Sequence, residues 1–537
     1  MPPPPAGRGR RGDGAVLTAL PVGEPAAELT GREVRRLVRR AEAALADTTV
    51  WSRLGSALDA ATTTGVLVAV LGGVLASLRE DIAARPPASG GVLSGAATGT
   101  LLGLVAVAAA VLVLDRLGPV SATPAAAAWW LPLPASRRAL LRGELVRLTA
   151  GCAVVGAGLG LVGALLGEAT PSSVAGGIAA GAVAGAGLAA ATSVLQARGG
   201  AGRAGPVAGT VLVASATVAA VLATAAARGV LDAPAHGLSL GGGGWAPLVL
   251  VPLVAALGVA ADRGLPRLRT GELRVLGGTA AYAGASVLSL DTRDLGRALA
   301  GRRERAPRRP WTFAAVRSPW QALVAADLAT LVRGRWQAGQ VLVGIALPVV
   351  ACRTQGLNQL PVVVWLTFLV GWTLVAVAAG HPSRQAQAAP AVDRLLPLGP
   401  AQVTWTRAVV PLAVAAVACT LTGLLVGLGS GAPGSWTALA AAGAAGWAAA
   451  AVRGAYRPEL DWAGPVMATP MGAVPVGVAA TLLQGLDVAL VASVPLLVAL
   501  LVGGAPSASL VGVQLLWALA VGSGGIALTA RRRSKAG

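Results

Sequence analysis

Residues 408–452 read AVVPLAVAAVACTLTGLLVGLGSGAPGSWTALAAAGAAGWAAAAV, forty-five positions without a single charged side chain. As one helix this run would be about 68 Å long at ~1.5 Å per residue. That is more than twice the ~30 Å hydrocarbon thickness of a bilayer. Near its middle lies Gly429-Ser-Gly-Ala-Pro-Gly-Ser435, a cluster of turn formers. The run therefore reads as two apolar helices joined by a tight connection. Backbone groups inside lipid must be satisfied within the segment, and unbroken apolar stretches of this length predict membrane helices.

The same reading extends along the chain. Charge-free segments predict spans near 60–78, 90–114, 148–167, 173–196, 204–227 and 245–261, then 336–352 and 359–379. Residues 408–452 supply the ninth and tenth. A second long run, 488–530, is split by Gly503-Gly-Ala-Pro-Ser-Ala-Ser509 into the eleventh and twelfth. Two further segments are not counted. Val275 to Leu290 is weakly apolar and reads as cytoplasmic or interfacial. Trp462 to Leu486 carries Pro465, Pro470 and Pro475, each denying a helix a backbone bond, and reads as a broken entry into span eleven. The fold class is thus an all-α integral membrane protein of about 12 transmembrane helices in two parallel six-helix repeats.

Composition narrows the chemistry. The 537 residues are 55% hydrophobic and 12% charged, with a mean hydropathy of +0.70 and a net charge of +20. Soluble domains carry roughly 25% charge. Of the 43 basic residues only Lys535 is lysine, and it follows Ser534 in the tail, so the chain has no Gly-Lys-Ser/Thr phosphate loop. The arginine excess is partly a signature of a GC-rich genome. Cys152, Cys352 and Cys419, with His236 and His381, lie far apart, which excludes a disulfide framework or zinc site. No cytoplasmic stretch pairs a nucleophile with a base, so no enzyme is expected, and no nucleic-acid partner.

With both termini inside, 39 of the 43 basic residues fall on the cytoplasmic side, leaving Arg79, Arg85, Arg228 and Arg353 outside. This bias predicts an even number of spans and a multi-pass protein of the plasma membrane. Five segments follow: an N-terminal tail 1–28, a first half 29–262, a basic linker 263–317, a second half 318–530 and a basic tail 531–537. The tail is no signal peptide, and the linker's run from Arg302 to Arg309 suits anionic headgroups.

An internal repeat organises the halves. Leu131-Pro-Leu-Pro-Ala-Ser-Arg-Arg-Ala-Leu-Leu-Arg142 follows the second span; Leu396-Pro-Leu-Gly-Pro-Ala-Gln-Val-Thr-Trp-Thr-Arg407 follows the eighth. Amphipathic segments precede spans one and seven: Val34, Leu37, Val38, Ala41 and Leu45 opposite Arg32 to Arg40, and Trp320 to Val332 with Asp327, Arg333 and Arg335. Each half then has an interfacial helix, two spans, a cytoplasmic loop and four more spans, which sets the halves parallel.

This arrangement resembles the membrane domain of ABC-2-type exporters, here as a fused tandem pair. The whole chain also resembles an uncharacterised actinobacterial family of multi-pass membrane proteins. The exporter resemblance implies that the LPL loops are coupling loops docking on a separate ABC-type ATPase, in two copies, with ATP bound on that partner and no cofactor in this chain. Arg137, Arg138, Arg142 and Glu144 in one copy, and Asp393, Arg394 and Arg407 in the other, would face it. The implied function is a permease subunit for an unidentified exported substrate.

Two alternatives stay open. Asp115-Arg116-Leu117-Gly118 resembles part of the loop motif of major-facilitator transporters, although Val111 stands where that motif has Gly. A non-transporting scaffold or sensor would show the same hydropathy. Secondary transport needs an ionisable group in the membrane, and Asp59, Glu168 and Asp487 sit only at span edges. Gly156-xxx-Gly160 and Gly177-xxx-Gly181-xxx-Gly185 predict close helix packing. His236 with Asp232 and the patch Leu288 to Gly296 read as solvated loop and helix start.

Overall fold

The computed structural model describes residues 92–129, 131–133, 136–166, 170–200, 202–230, 250–288, 316–457, 466–469, 472–475 and 484–536, with isolated positions between 33 and 80. The first span, its preceding amphipathic segment, the N-terminal tail, the Leu288 to Gly296 patch beyond its first residue, His236 and the Arg302 to Arg309 run lie outside the described residues, apart from those isolated positions. Among the described residues, nine helices are long and apolar enough to cross a bilayer. The chain is a multi-pass membrane protein.

In the first half, α1 (Gly95–Leu117) starts from Ser94, whose hydroxyl accepts the Ala97 N–H. A short α2 (Pro124–Trp129) leads to α3 (Arg137–Leu166), then α4 (Pro171–Leu195), α5 (Ala204–Ala227), α6 (Val251–Gly264) and α7 (Thr270–Leu288). Helix α3 packs along α4, α4 on α6, and α1 on α5. The glycine stripes make the first of these contacts. A methyl group on Gly156 would meet the Gly181 carbonyl, one on Gly160 the Gly177 carbonyl, and one on Gly185 the Cys152 carbonyl. The backbones therefore touch, which is what small residues permit.

In the second half come α8 (Pro319–Val332), α9 (Arg335–Arg353), α10 (Pro361–Ala379), α11 (His381–Ala388), α12 (Pro390–Arg394), α13 (Pro400–Thr406), α14 (Val409–Ser430), α15 (Pro433–Ala442) and α16 (Ala444–Ala455). After a hairpin of β1 (Val466–Thr469) and β2 (Gly472–Pro475) follow α17 (Leu486–Ala492), α18 (Val494–Val502) and α19 (Ala508–Ala536). The break in the 408–452 run falls where expected: α14 ends at Ser430, Gly431 takes a left-handed φ of 76°, and Pro433 opens α15. Here α14 packs on α15, α16 and α15 on α19, and α10 on α18. The main core lies in this half, where Phe368, Trp372 and Trp447 stack edge to face at 5.1 and 5.6 Å.

The two halves meet along α5 and α9. Gly209 lies beside Trp336, Val213 beside Gly339, and Ala220 shares a core cluster with Ala346. These pairs advance together along both helices, so α5 and α9 run parallel. At the far end of α9 the Thr98 and Thr354 hydroxyls are 3.1 Å apart, and the Val92 and Leu93 N–H groups donate to Arg353 O.

Three expectations gain detail. The helix that carries the predicted span from Leu148, α3, already starts at Arg137, so the arginines of the first LPL segment stand on helix. The predicted span from Ala408 gains a preceding turn, α13, ending in a bend at Arg407. The proline-rich stretch after Trp462 contains a two-stranded hairpin in register Val466↔Pro475 and Thr469↔Gly472. Prolines that break a helix are tolerated at a ladder's end, and among the described residues the fold is helical apart from this hairpin.

Candidate functional site: the two LPL segments

The first segment is built on a small apolar cluster. Leu131, Leu141 and Leu145 pack with Val120, Ala122, Ala127, Leu265, Leu268 and Leu273, which tie α2, the base of α3 and the α6–α7 turn together. Gln196 supports it from α4, its amide exchanging two 2.9 Å bonds with the Val120 N–H and carbonyl. Leu141 and Leu145 lie one helical turn apart and point inward, while Arg138 and Arg142, at the edge of that buried face, reach its rim and stay exposed. Arg137 Nη1 donates to Leu268 O at 3.2 Å. Arg138 donates through Nε at 3.0 Å and through Nη2 to Asp262 Oδ2. Arg142 Nε lies 3.6 Å from Asp262 Oδ1, and Glu144 accepts from Arg147 at 2.8 Å. The side chains of Arg138 and Arg142 remain 50% and 60% exposed.

The second segment is arranged differently. Arg407 sits in the bend between α13 and α14 and donates to two carboxylates at 2.6 Å each, Asp327 of α8 and Asp393 of α12. Arg533, near the end of α19, donates to the other oxygen of Asp393 at 3.3 Å and to Thr404 Oγ1 at 3.1 Å, with its guanidinium 4.2 Å from the centre of the Tyr456 ring. Asp327, Asp393, Arg407 and Tyr456 are 4–7% exposed and Thr404 is fully buried. Two arginines and two aspartates balance in charge, as a buried ionic cluster requires. Burial pushes the Asp327 carboxyl up to about 6 although Arg407 pulls the other way, and pushes the Tyr456 hydroxyl up to about 12. The cluster pins helix α8, the LPL segment, the foot of α14, the end of α16 and the C-terminal helix to one another.

Of the seven residues singled out in the sequence, Arg138 and Arg142 lie together on an exposed side of α3 and share Asp262, while Arg137 and Glu144 are half-buried on the other side of the leucine stripe with separate partners. Asp393 and Arg407 are turned into the protein rather than outward, because Asp327 and Arg533 draw them in. Arg394 belongs to α12, and its side chain is outside the described residues. Beside the exposed Gln402, the second segment and the residue before it present large apolar side chains outward: Leu395 is 84% and Trp405 46% exposed. Asp262, Asp327, Arg533 and Tyr456 had no distinguishing mark in the sequence beyond a lone acid in an apolar stretch and a basic tail.

Other polar groups are engaged locally. Asp115 accepts the Gly202 N–H at 2.8 Å just ahead of α5, an acid favourably placed near a helix start. Asp487 is held by Arg453 at 2.6 Å. Arg353 donates to Leu425 O and Val426 O at 2.8 and 2.9 Å, capping the end of α14. Among the described residues, no three potential ligands gather to hold a metal ion.

No curated protein matches the chain. Residues 93–465, a stretch that contains both LPL segments with Asp262, Asp327, Asp393 and Arg407, match a family model, and the chain belongs to the family of unknown function DUF6297.

Proposed function

We propose that the chain is the membrane-spanning subunit of an exporter, energised by a separate ATPase that docks across the two LPL segments. The carrying observation is that ion pairs join each LPL region to a helix end later in its own half: Arg138 at the base of α3 to Asp262 near the end of α6, and Asp393, just before the second segment, to Arg533 near the end of α19. A push on either segment would thus reach helices of the bundle directly. The like pattern of helix pairing in the two halves supports a six-span repeat, and the parallel run of α5 beside α9 supports a common orientation. The basic residues favour the cytoplasm for the LPL side. In this reading Arg138 and Arg142 contact the partner, while Asp393 and Arg407 transmit force as positioning residues.

The test is purification of the full chain from its native membrane, with the retained ATPase measured. An ATPase that co-purifies with the wild type and is lost from Arg138→Glu/Arg142→Glu, with unchanged thermal unfolding, supports the exporter. A chain that transports in vesicles without any ATPase overturns it. A second reading draws on the buried carboxyl of Asp327 beside Arg407: a proton-coupled transporter would show gradient-dependent flux from this chain alone.

A further inference from the structure

The arginines of the two halves are treated unequally. In the second half Arg407, Arg453 and Arg533 are all neutralised by Asp327, Asp393 and Asp487. In the first half Arg263, Arg267, Arg269 and Arg274 are exposed, and their side chains make no hydrogen bond or ion pair among the described residues. All four lie within twelve positions, at the turn where α6 ends and α7 begins. Asp262 beside them is already taken by Arg138.

Their surroundings set the depth at which they lie. Helix α6 is apolar from Val251 to Ala261 and turns polar at Asp262, the pattern of a segment that leaves an apolar phase at that point. Beside it, α2 packs on α7, and each carries a bare apolar side chain: Trp129 is 76% and Val275 66% exposed. Tryptophan favours the headgroup level, and arginine buries its stem in lipid while its guanidinium stays at the surface. An acidic protein surface would meet the arginines but leave Trp129 and Val275 in water.

We propose that Arg263, Arg267, Arg269 and Arg274, flanked by Trp129 and Val275, form a binding site for the phosphate headgroups of anionic phospholipids in the leaflet on the LPL side. Occupancy of this site anchors the α6–α7 turn, and with it Asp262 and the first LPL segment, at the membrane surface. The site is independent of the exporter reading and of any ATPase.

The experiment is native mass spectrometry of the full chain released from nanodiscs of phosphatidylcholine alone or mixed with phosphatidylglycerol. Phosphatidylglycerol is expected to be retained in preference to phosphatidylcholine. At about 1 kcal/mol for each basic residue near an anionic surface, or roughly fivefold in affinity, R267Q/R269Q should weaken that retention about 25-fold. R531Q/R532Q removes the same charge from exposed arginines at the other end of the chain and should leave it unchanged. Equal retention of the two lipids, or an equal loss in both double variants, overturns the site. Thermal unfolding of the wild type separates other sources of the same chemistry. Stabilisation by phosphatidylglycerol but not by inorganic phosphate or polyglutamate is expected, and equal stabilisation by either of the latter overturns a lipid site.

Discussion

Arg407 holds two buried carboxylates, and its removal would leave both Asp327 and Asp393 in a poorly solvated site, although Arg533 still reaches Asp393. Breaking a buried pair from one side costs about 3–5 kcal/mol. Arg407→Ala should therefore lower the thermal midpoint in detergent far more than Arg142→Ala, whose partner contact is long and exposed. Asp327 gives the cluster a pH signature. Its carboxyl titrates at about 6 in the folded protein, against about 4 for a free aspartate. Between those values the folded state holds a proton that the unfolded chain has released, so this group's contribution to stability declines as pH rises from about 4 to 6. Asp327→Asn should flatten that part of the profile of thermal midpoint against pH. An unchanged slope would show that another group titrates there.

At the scale of elements, the α3–α4 pair depends on glycines whose hydrogens face the neighbouring backbone, whereas Gly158 on the same helix α3 has open space where a methyl group would stand. Gly181→Leu should separate the helices and cost at least the ~1–3 kcal/mol typical of overpacking. Gly158→Leu, on the outer face, should leave the thermal midpoint close to that of the wild type. The comparison isolates contact geometry from helix propensity, since both changes replace Gly by Leu. The α17–α18 pair shows a different local solution. Pro495 follows the bend at Ser493, and α19 supplies donors to the carbonyls there: Trp517 Nε1 to Val491 O at 2.7 Å and Gln514 Nε2 to Ala492 O at 3.1 Å. A proline is tolerated in an apolar helical run when neighbouring side chains satisfy the backbone group it frees.

For the whole molecule, the union of the halves rests on α5 against α9 and on the contact of Thr98 with Thr354. In a background with Cys152, Cys352 and Cys419 replaced by alanine, Thr98→Cys/Thr354→Cys should form a disulfide on mild oxidation. After proteolytic cleavage at a site introduced in the Arg302 to Arg309 run, the two fragments should migrate together on a non-reducing gel and separate on reduction. Fragments that separate without reductant would overturn this placement of α1 beside α9.

Much of the architecture was legible in the chain because hydropathy is a local property. The 408–452 run, its Gly-Pro break and the glycine stripes each act within one or two helices, and each does in the structure what its residues dictate. The LPL segments show the limit of that reading. Their spacing marks two related places, yet the first keeps its arginines outward and the second buries Arg407 and Asp393. That difference comes from Asp327, 80 residues before Arg407, and Arg533, 140 residues beyond Asp393. Pattern along a chain determines which segments enter a membrane; which charges neutralise one another depends on distances of a few ångströms between helix ends, and these exist only once the bundle has packed.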